Sequence, residues 1–558
     1  MTSVTTSPVR RRHLDADRVF GAAVVGITGL LLVVFVLVPL WAILKTSFVT
    51  PQGIGLGNFV LYFTSARFLG IVGNTFQVGI SVTVTTLVLA YGFAYAMQRS
   101  CMPGKSVLRL VALLPIFSPS LVQALGLQFL LGRNGLVNRT FGTEIDIYGF
   151  WGIFIADVVY AFPHAFLILT TALAVADARI YESAKSLGAG PWRIFRTVTL
   201  PGTRYGLASA GFVVFTIVIT DFGNPVVIGG NYSVLAVEIY NQVSGQANFS
   251  MGAVIGVVLL LPAALAVMGE KWIARRQFAS VTSQSVPLVP KPRFGRDMVW
   301  LAYSIVIAAA ILSLVAIVVY ASFVRLWPYN LSLTLRHYGF DVQNGIEPLW
   351  TSIEVALVTA LLAIVFVIGA AYANHSFPSR AGRFVYFLAI LPAAVPGMVL
   401  GLGYILAFNT PGQPVYWIYD TILIIAVCNV YHYHAQGFLL ATTNLKQISP
   451  TFDEASSTLG ATKLTTVWRI TLPLIWPTIL GVGVFFFMRA MVTLSAVIFL
   501  ITPSTQLAAV SVLYLDDRGA LNQAAAFAVC IMATVIGFLL LAQLALRLSG
   551  VRGVSLVR

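Results

Sequence analysis

The chain has 558 residues, 58% of them hydrophobic and 9% charged, with a formal net charge of +15 and a mean hydropathy of +0.89. A soluble domain carries about 25% charged residues, so a water-soluble globule is excluded and an all-α polytopic membrane protein is expected. Three cysteines, Cys101, Cys428 and Cys530, lie in or beside apolar runs without CxxC spacing, which predicts neither a disulfide nor a metal site.

The first eighteen residues are polar and basic. The apolar run that follows is too long for a secretory signal and ends without a small-residue cleavage site, so it reads as an uncleaved first span. From there the apolar runs predict twelve transmembrane helices near 19–44, 70–97, 107–131, 147–175, 205–228, 249–269, 298–324, 349–374, 383–408, 419–443, 475–500 and 523–547. With the N-terminus in the cytoplasm, 26 of the 34 Lys and Arg fall on the cytoplasmic side and seven on the other. Acidic residues divide evenly. This is the positive-inside distribution. The charge orients the chain in a bilayer, with both termini cytoplasmic, and does not imply nucleic acid as a partner.

Residues 182–201, ESAKSLGAGPWRIFRTVTLP, and 454–473, EASSTLGATKLTTVWRITLP, share landmarks at one offset. Glu182, Gly188, Val198, Leu200 and Pro201 answer to Glu454, Gly460, Ile470, Leu472 and Pro473, 272 residues on. Further upstream, AYA, a basic turn and LLPIFSP (94–118) answer to AYA, a basic turn and ILPAAVP (371–396), with Pro115 paired to Pro392 at an offset of 277. The change of five residues falls in the loop between the third and fourth spans, where insertions belong. The basic, Pro-containing stretch at 271–297 divides the chain into 1–270 and 298–558, each with six spans. Six is even, so the halves are parallel repeats with one orientation.

The pattern Glu-x5-Gly followed by Ile/Val-x-Leu-Pro, between the fourth and fifth spans of a six-span unit, resembles the EAA loop of binding-protein-dependent ABC importer permeases. The family's Glu-Ala-Ala stands here as Glu-Ser-Ala and Glu-Ala-Ser. The resemblance implies two parallel six-helix permease repeats. It implies a coupling helix in each loop that docks on an ATPase subunit, carried by Glu182, Ala184, Gly188, Leu200 and Pro201, and by Glu454, Ala455, Gly460, Leu472 and Pro473. It also implies two ATP-binding subunits, an extracytoplasmic solute-binding protein, a bacterial inner-membrane location and no chemistry on this chain. Leu187, Ile194 and Val198, and Leu459 and Val467, predict an apolar side for each loop; Lys185, Arg193 and Arg196 give the first loop a cationic one. Leu-Pro is expected to end each loop, with Pro in the first turn of the following span, which tolerates it. No GxxxxGK[ST] phosphate loop is present, so the chain is expected to bind no cofactor and to leave ATP and Mg to its partner. Fusion of two permeases resembles the subgroup importing iron(III) or 2-aminoethylphosphonate. Residues 220–254 look closer to the aminoethylphosphonate type, which makes that solute the first expectation and iron(III) the second.

Asp157, Asp221, Glu354 and Arg489 fall within spans, where an ionisable group must face protein or water. Gly223, Asn224 and Pro225 follow Asp221 and are expected to break the fifth span. Arg489 corresponds to Ile217, one helical turn from Asp221. Asp221, Gly223, Asn224, Pro225 and Arg489 are therefore candidates for the translocation path, with Asp221 and Arg489 as an ion pair across it or as a structural lock between spans five and eleven. Asp157 is expected to bond within the bundle and Glu354 to snorkel. His432 and His434, two apart, point to different helix faces and do not read as a metal pair. GMVLGLG (397–403) reads as a packing face. Two other classes compete: a twelve-span secondary transporter, which needs several ion-coupling charges at mid-membrane, and an integral-membrane enzyme, which needs a cluster of His, Asp or Glu at one depth.

Overall fold

A computed structural model describes residues 8–279, 286–339, 345–377, 379–413, 415–449 and 451–548. Residues 280–285 of the predicted linker and the final ten residues lie outside that range. Among the described residues, seven helices are long and apolar enough to cross a membrane, and five further pairs qualify as bent spans. Counting each pair once gives twelve, in the predicted order. The linker is shorter than expected, because the sixth span continues as helix to Ala279.

Most bends repeat between the halves, and proline accounts for them. The third span breaks between Lys105–Phe117 and Leu121–Phe141 at 107°, the ninth between Arg380–Ala394 and Gly397–Phe408 at 114°. In both, a 3-10 turn carrying Pro115 or Pro392 precedes a second X-Pro step. A residue before proline is pushed out of the helical region. Ser118 before Pro119 (φ −124°, ψ 150°) and Val395 before Pro396 (φ −100°, ψ 114°) are extended accordingly.

A second proline device is a widened turn two residues upstream. Pro39, Pro201 and Pro473 each follow a π-helical turn, where Val38 N donates to Val33 O, Leu200 N to Phe195 O and Leu472 N to Val467 O. Proline lacks an N–H and crowds the preceding turn, and the i−5 bonds absorb the misfit. Pro201 and Pro473 consequently close the coupling segments and do not stand in the first turn of the next span, since the bends of 63° and 72° come after them. Two short antiparallel strand pairs, Val49–Thr50 with Gly53–Ile54 and Val324–Leu326 with Asn330–Leu333, follow the first and seventh spans.

Packing divides the chain differently from the sequence repeat. One compact unit comprises Leu44–Ile346 with Ala508–Met532; the other comprises the described parts of Met1–Ile43, Glu347–Leu507 and Ala533–Arg558. The first span thus packs with the second repeat, and the seventh with the first.

One glycine in each repeat makes room for this exchange. A Cβ on Gly126 would strike the backbone of Leu314 in the seventh span. A Cβ on Gly403, its equivalent 277 residues on, would lie 2.8 Å from Pro39 O in the first span. The first unit is filled by Phe93 packed edge-on against Phe162 and Phe166, at 5.5 and 5.2 Å. In the second, Phe35 stacks on Tyr431 at 5.2 Å beside Tyr404 and Phe408.

Candidate functional site

Each repeated loop folds as two short helices around a glycine turn. The first runs Ala178–Ser186, turns at Gly188, and continues as Pro191–Gly202; the second runs Thr451–Thr458, turns at Gly460, and continues as Lys463–Leu474. Both glycines have φ +76°, a left-handed conformation that glycine adopts without penalty. The chain can therefore reverse at that point while keeping both flanking helices. Asp177 caps the first helix by accepting from Arg179 N at 3.1 Å.

The loops are pinned at their bases and open at their tips. Tyr181 Oη donates to Thr199 Oγ1 at 3.0 Å, closing the first loop on itself. Buried Arg99, from the end of the second span, lies 5.4 Å from the Tyr181 ring and donates to Leu173 O at 2.8 Å. Ser456 and Thr466 hydroxyls meet at 2.6 Å and close the second loop. Glu182, Glu454 and Ala455 are exposed and Ala184 half-buried; Pro201 and Pro473 are exposed, Leu472 half-buried. Leu187 and Leu459, each just before its glycine, are 84% and 86% exposed. The predicted apolar side is thus split. Ile194 turns inward and Val198 and Val467 are half-buried, while the two leucines project, with Trp192 and Trp468 exposed further along each loop.

The fifth span ends as expected. Helix Arg204–Thr220 stops, Asp221 is extended (φ −68°, ψ 136°), and Gly223–Ile228 forms a short helix. Asp221, Gly223, Asn224 and Pro225 are all buried. Asn224 is the hub. Its Nδ2 donates to Asp157 Oδ1 at 2.8 Å, its Oδ1 accepts from Ala124 N at 3.1 Å, and its own N–H donates to Asp221 Oδ2 at 3.0 Å. One amide therefore joins spans three, four and five. Ala124 lies in the first turn after the break in the third span, where N–H groups lack helical acceptors; Asn224 supplies one from another span.

Arg489 belongs to the other unit and is placed there by its own neighbours. Its guanidinium lies 4.5 Å from the Tyr433 ring centroid, and Tyr433 Oη meets Thr493 Oγ1 at 2.8 Å. Glu354 is exposed. His432 and His434 sit on two helices rather than on two faces of one, because the tenth span bends by 57° between them; His434 Nδ1 contacts Ala389 O at 3.1 Å. The GMVLGLG stretch packs as expected, with Gly397 against Ser495 and Gly401 against Ala496.

Some polar features had no signal in a single sequence. Glu238 is fully buried, pairs with Arg67 at 3.3 Å and accepts from Gln242 at 2.9 Å. An open cavity of about 590 Å³ is lined by Arg133, Asp146, Tyr148, Phe150, Asn231 and Tyr232. Arg67 lies 171 residues from Glu238, and the 133–150 and 231–232 segments of the cavity meet only in the fold, so no local spacing announces either feature. The half-buried Asp516, after the eleventh span, has its carboxyl pushed up to about 7 by burial and by the neighbouring Asp517 charge.

Two six-span repeats, each with a glycine-hinged, leucine-tipped loop between its fourth and fifth spans, define a fused membrane permease of the ABC importer class. Residues 102–279 and 363–549 each match the family of binding-protein-dependent transport system inner membrane components. Together they cover more than half of the chain, which therefore belongs to that family. A ferric transport system permease protein of Actinobacillus pleuropneumoniae is 29% identical over 95% of this chain and 78% of its own length. A putative ferric transport system permease protein of Haemophilus influenzae is 29% identical over 90% of this chain and 81% of its own. A molybdenum transport system permease protein of Escherichia coli is 27% identical over 33% of this chain and 83% of its own, a stretch about as long as one of the two family matches.

Proposed function

We propose that this chain is the permease of an ATP-driven ferric iron importer. Both repeats sit in one polypeptide, and the two loops Glu182–Pro201 and Glu454–Pro473 each engage one ATPase subunit. The observation that carries the reading is the duplicated loop. A glycine turn at φ +76° in both copies, with an exposed leucine beside it in both, is a surface feature that packing within the chain does not require. A protruding apolar side chain flanked by exposed charge suits a groove on a soluble partner. ATP and Mg belong to that partner, and a solute-binding protein delivers the cargo to the opposite face. The positive-inside distribution supports placing the loops and both termini in the bacterial cytoplasm.

Iron(III) replaces 2-aminoethylphosphonate as the first choice of solute. The Actinobacillus and Haemophilus relatives each cover nine-tenths or more of this chain and are named for ferric transport, and phosphonate finds no support among the relatives described above. The secondary-transporter alternative has none from the family either. Proteoliposomes holding the chain, its ATPase and its binding protein are expected to take up iron(III) on ATP addition and not 2-aminoethylphosphonate; the reverse preference refutes the choice. Glu182→Lys with Glu454→Lys is expected to abolish ATPase pull-down while leaving membrane insertion intact. Normal pull-down by the double variant removes the coupling assignment.

A further inference from the structure

The two coupling loops begin their second helix differently. The first starts at Pro191, which has no N–H; the equivalent residue in the second, 272 positions on, is Lys463. Proline at the first helical position is neutral because that N–H has no helical acceptor, whereas Lys463 presents a donor that must be satisfied. Thr462 does not supply the acceptor, since its hydroxyl takes the N–H of Thr465 at 3.3 Å. The Lys463 N–H instead donates to Asp17 Oδ1 at 2.8 Å, across 446 residues of sequence.

Asp17 lies on the N-terminal helix Pro8–Leu32, outside the part of the chain that matches the family. The Lys463 side chain reinforces the contact. Its Nζ donates to Ser376 O at 3.4 Å and lies 5.3 Å from the Phe377 ring centroid. Phe377 in turn packs edge-on against Phe20 at 6.0 Å and fills the space above Gly21. At its far end the same helical span is tied to the ninth. Pro39 has no N–H to give the Phe35 carbonyl, its i−4 partner, and Tyr404 Oη donates to that carbonyl at 3.0 Å. One continuous element therefore links the second coupling helix to the ninth span, with a charge-assisted hydrogen bond at one end and a proline-freed carbonyl at the other.

We propose that the N-terminal helix is a strut for the second coupling loop and that Asp17 is its positioning residue, transmitting displacement of the loop into the membrane helices. This rests on the reading of Glu454–Pro473 as a coupling segment. A charge-assisted bond to a fixed backbone donor resists tilting of the helix better than a neutral contact.

The test uses the full chain with its ATPase and binding protein in proteoliposomes, measuring iron(III) taken up per ATP hydrolysed. Asp17→Ala is expected to lower that ratio about tenfold, the equivalent of one charged hydrogen bond, with ATP hydrolysis and ATPase pull-down preserved. Asp17→Asn keeps an acceptor oxygen but not the charge and is expected to fall about threefold, between wild type and Asp17→Ala. Lys463→Pro reproduces the first loop, keeping the helix start but deleting the donor. It is expected to uncouple as Asp17→Ala does, and it carries the test if Asp17→Ala fails to insert. Amide exchange over 454–473, read without any solute, is expected to rise in both uncoupling variants. Unchanged uptake per ATP and unchanged exchange in Lys463→Pro overturn the strut. Lost pull-down in Glu182→Lys with Glu454→Lys, beside retained pull-down in Asp17→Ala, which lies outside both loops, separates docking of the ATPase from transmission of its stroke.

Discussion

Replacing Asn224 by alanine tests whether the broken fifth span is held by the amide hub. The substitution removes the donor to Asp157 Oδ1 and the acceptor of Ala124 N–H, both buried, and leaves the backbone bond to Asp221 in place. A buried group stripped of its partner costs about 1–3 kcal/mol in a soluble protein, which gives about 2–6 kcal/mol for two. The bilayer lowers this. A helix dissociated within the membrane still finds other partners, and measured pair energies there average about 0.6 and reach about 1.7 kcal/mol. The expected loss is therefore about 1–3 kcal/mol, read as a shift in equilibrium unfolding of the purified chain in mixed micelles. Asn224→Asp is expected to be at least as damaging, because it keeps an oxygen for Ala124 but sets a second carboxyl against Asp157. The decisive measurement is the double-mutant cycle of Asn224→Ala with Asp157→Ala, expected to show coupling of about 0.6–1.7 kcal/mol. Additivity within about 0.3 kcal/mol would refute the hub, since independent sites add to that accuracy.

Gly223 faces Ser120, and its Cβ position lies 2.9 Å from Leu121 N, so Gly223→Ser is expected to destabilise by about 1–3 kcal/mol through overpacking. Adding Ser120→Gly removes the hydroxyl but leaves the Leu121 backbone in place, so it is expected to restore only part of that loss in the same unfolding assay, and no recovery would show that the serine is not an obstacle. Asp516 has a carboxyl pushed up to about 7, above its unfolded value, so its native form holds a proton that the unfolded form has released between about pH 4 and 7. Its contribution to stability is full below that window and is lost as pH rises through it, at up to about 1.4 kcal/mol per unit. Thermal melts from pH 4.5 to 7.5 are expected to flatten in Asp516→Asn, and an unchanged slope assigns the pH dependence elsewhere.

The count and order of spans, the paired loops and the break after Thr220 were legible because each rests on local chemistry: apolar length, glycine and proline. Apolar length predicts a third and a ninth span but not the break in either, although Pro119 is visible in the sequence. A run of apolar residues long enough to cross the membrane does not reveal whether a hydrogen-bonding partner waits at mid-depth to accept a broken backbone. Asn224 is that partner, and its two bonds reach residues 67 and 100 positions away. Asp17 was hidden for the same reason. An aspartate in a polar N-terminal segment has no local signature that distinguishes a solvated charge from a cap for a helix hundreds of residues downstream. Leu187 and Ile194 were read together as one apolar side, but periodicity assumes an unbroken helix, and the left-handed turn at Gly188 resets the phase between them.

The two repeats seal the same junction with different atoms, which separates what the fold requires from what each half adds. Where the first repeat sets Ser120 of the third span against Gly223 of the fifth, the second sets Gly397 of the ninth against Ser495 of the eleventh. The positions correspond, and the hydroxyl has changed sides. Each contact has space for one serine and one glycine, so the constraint is on their combined volume. Beside it, Asn224 bonds Ala124 in the first repeat. The equivalents in the second are Ala496 and Gly401, whose missing Cβ lets the Ala496 backbone approach directly. Backbone contact replaces an amide bridge. The junction itself is therefore a requirement of the broken-helix architecture, satisfied twice. The carboxyls at 157 and 221 are not part of that requirement, because the second repeat has Asn429 and Thr493 there and still closes. Carboxyl groups present in one copy of a duplicated junction and absent from the other are added to the fold, and are the feature of this region that packing alone does not explain.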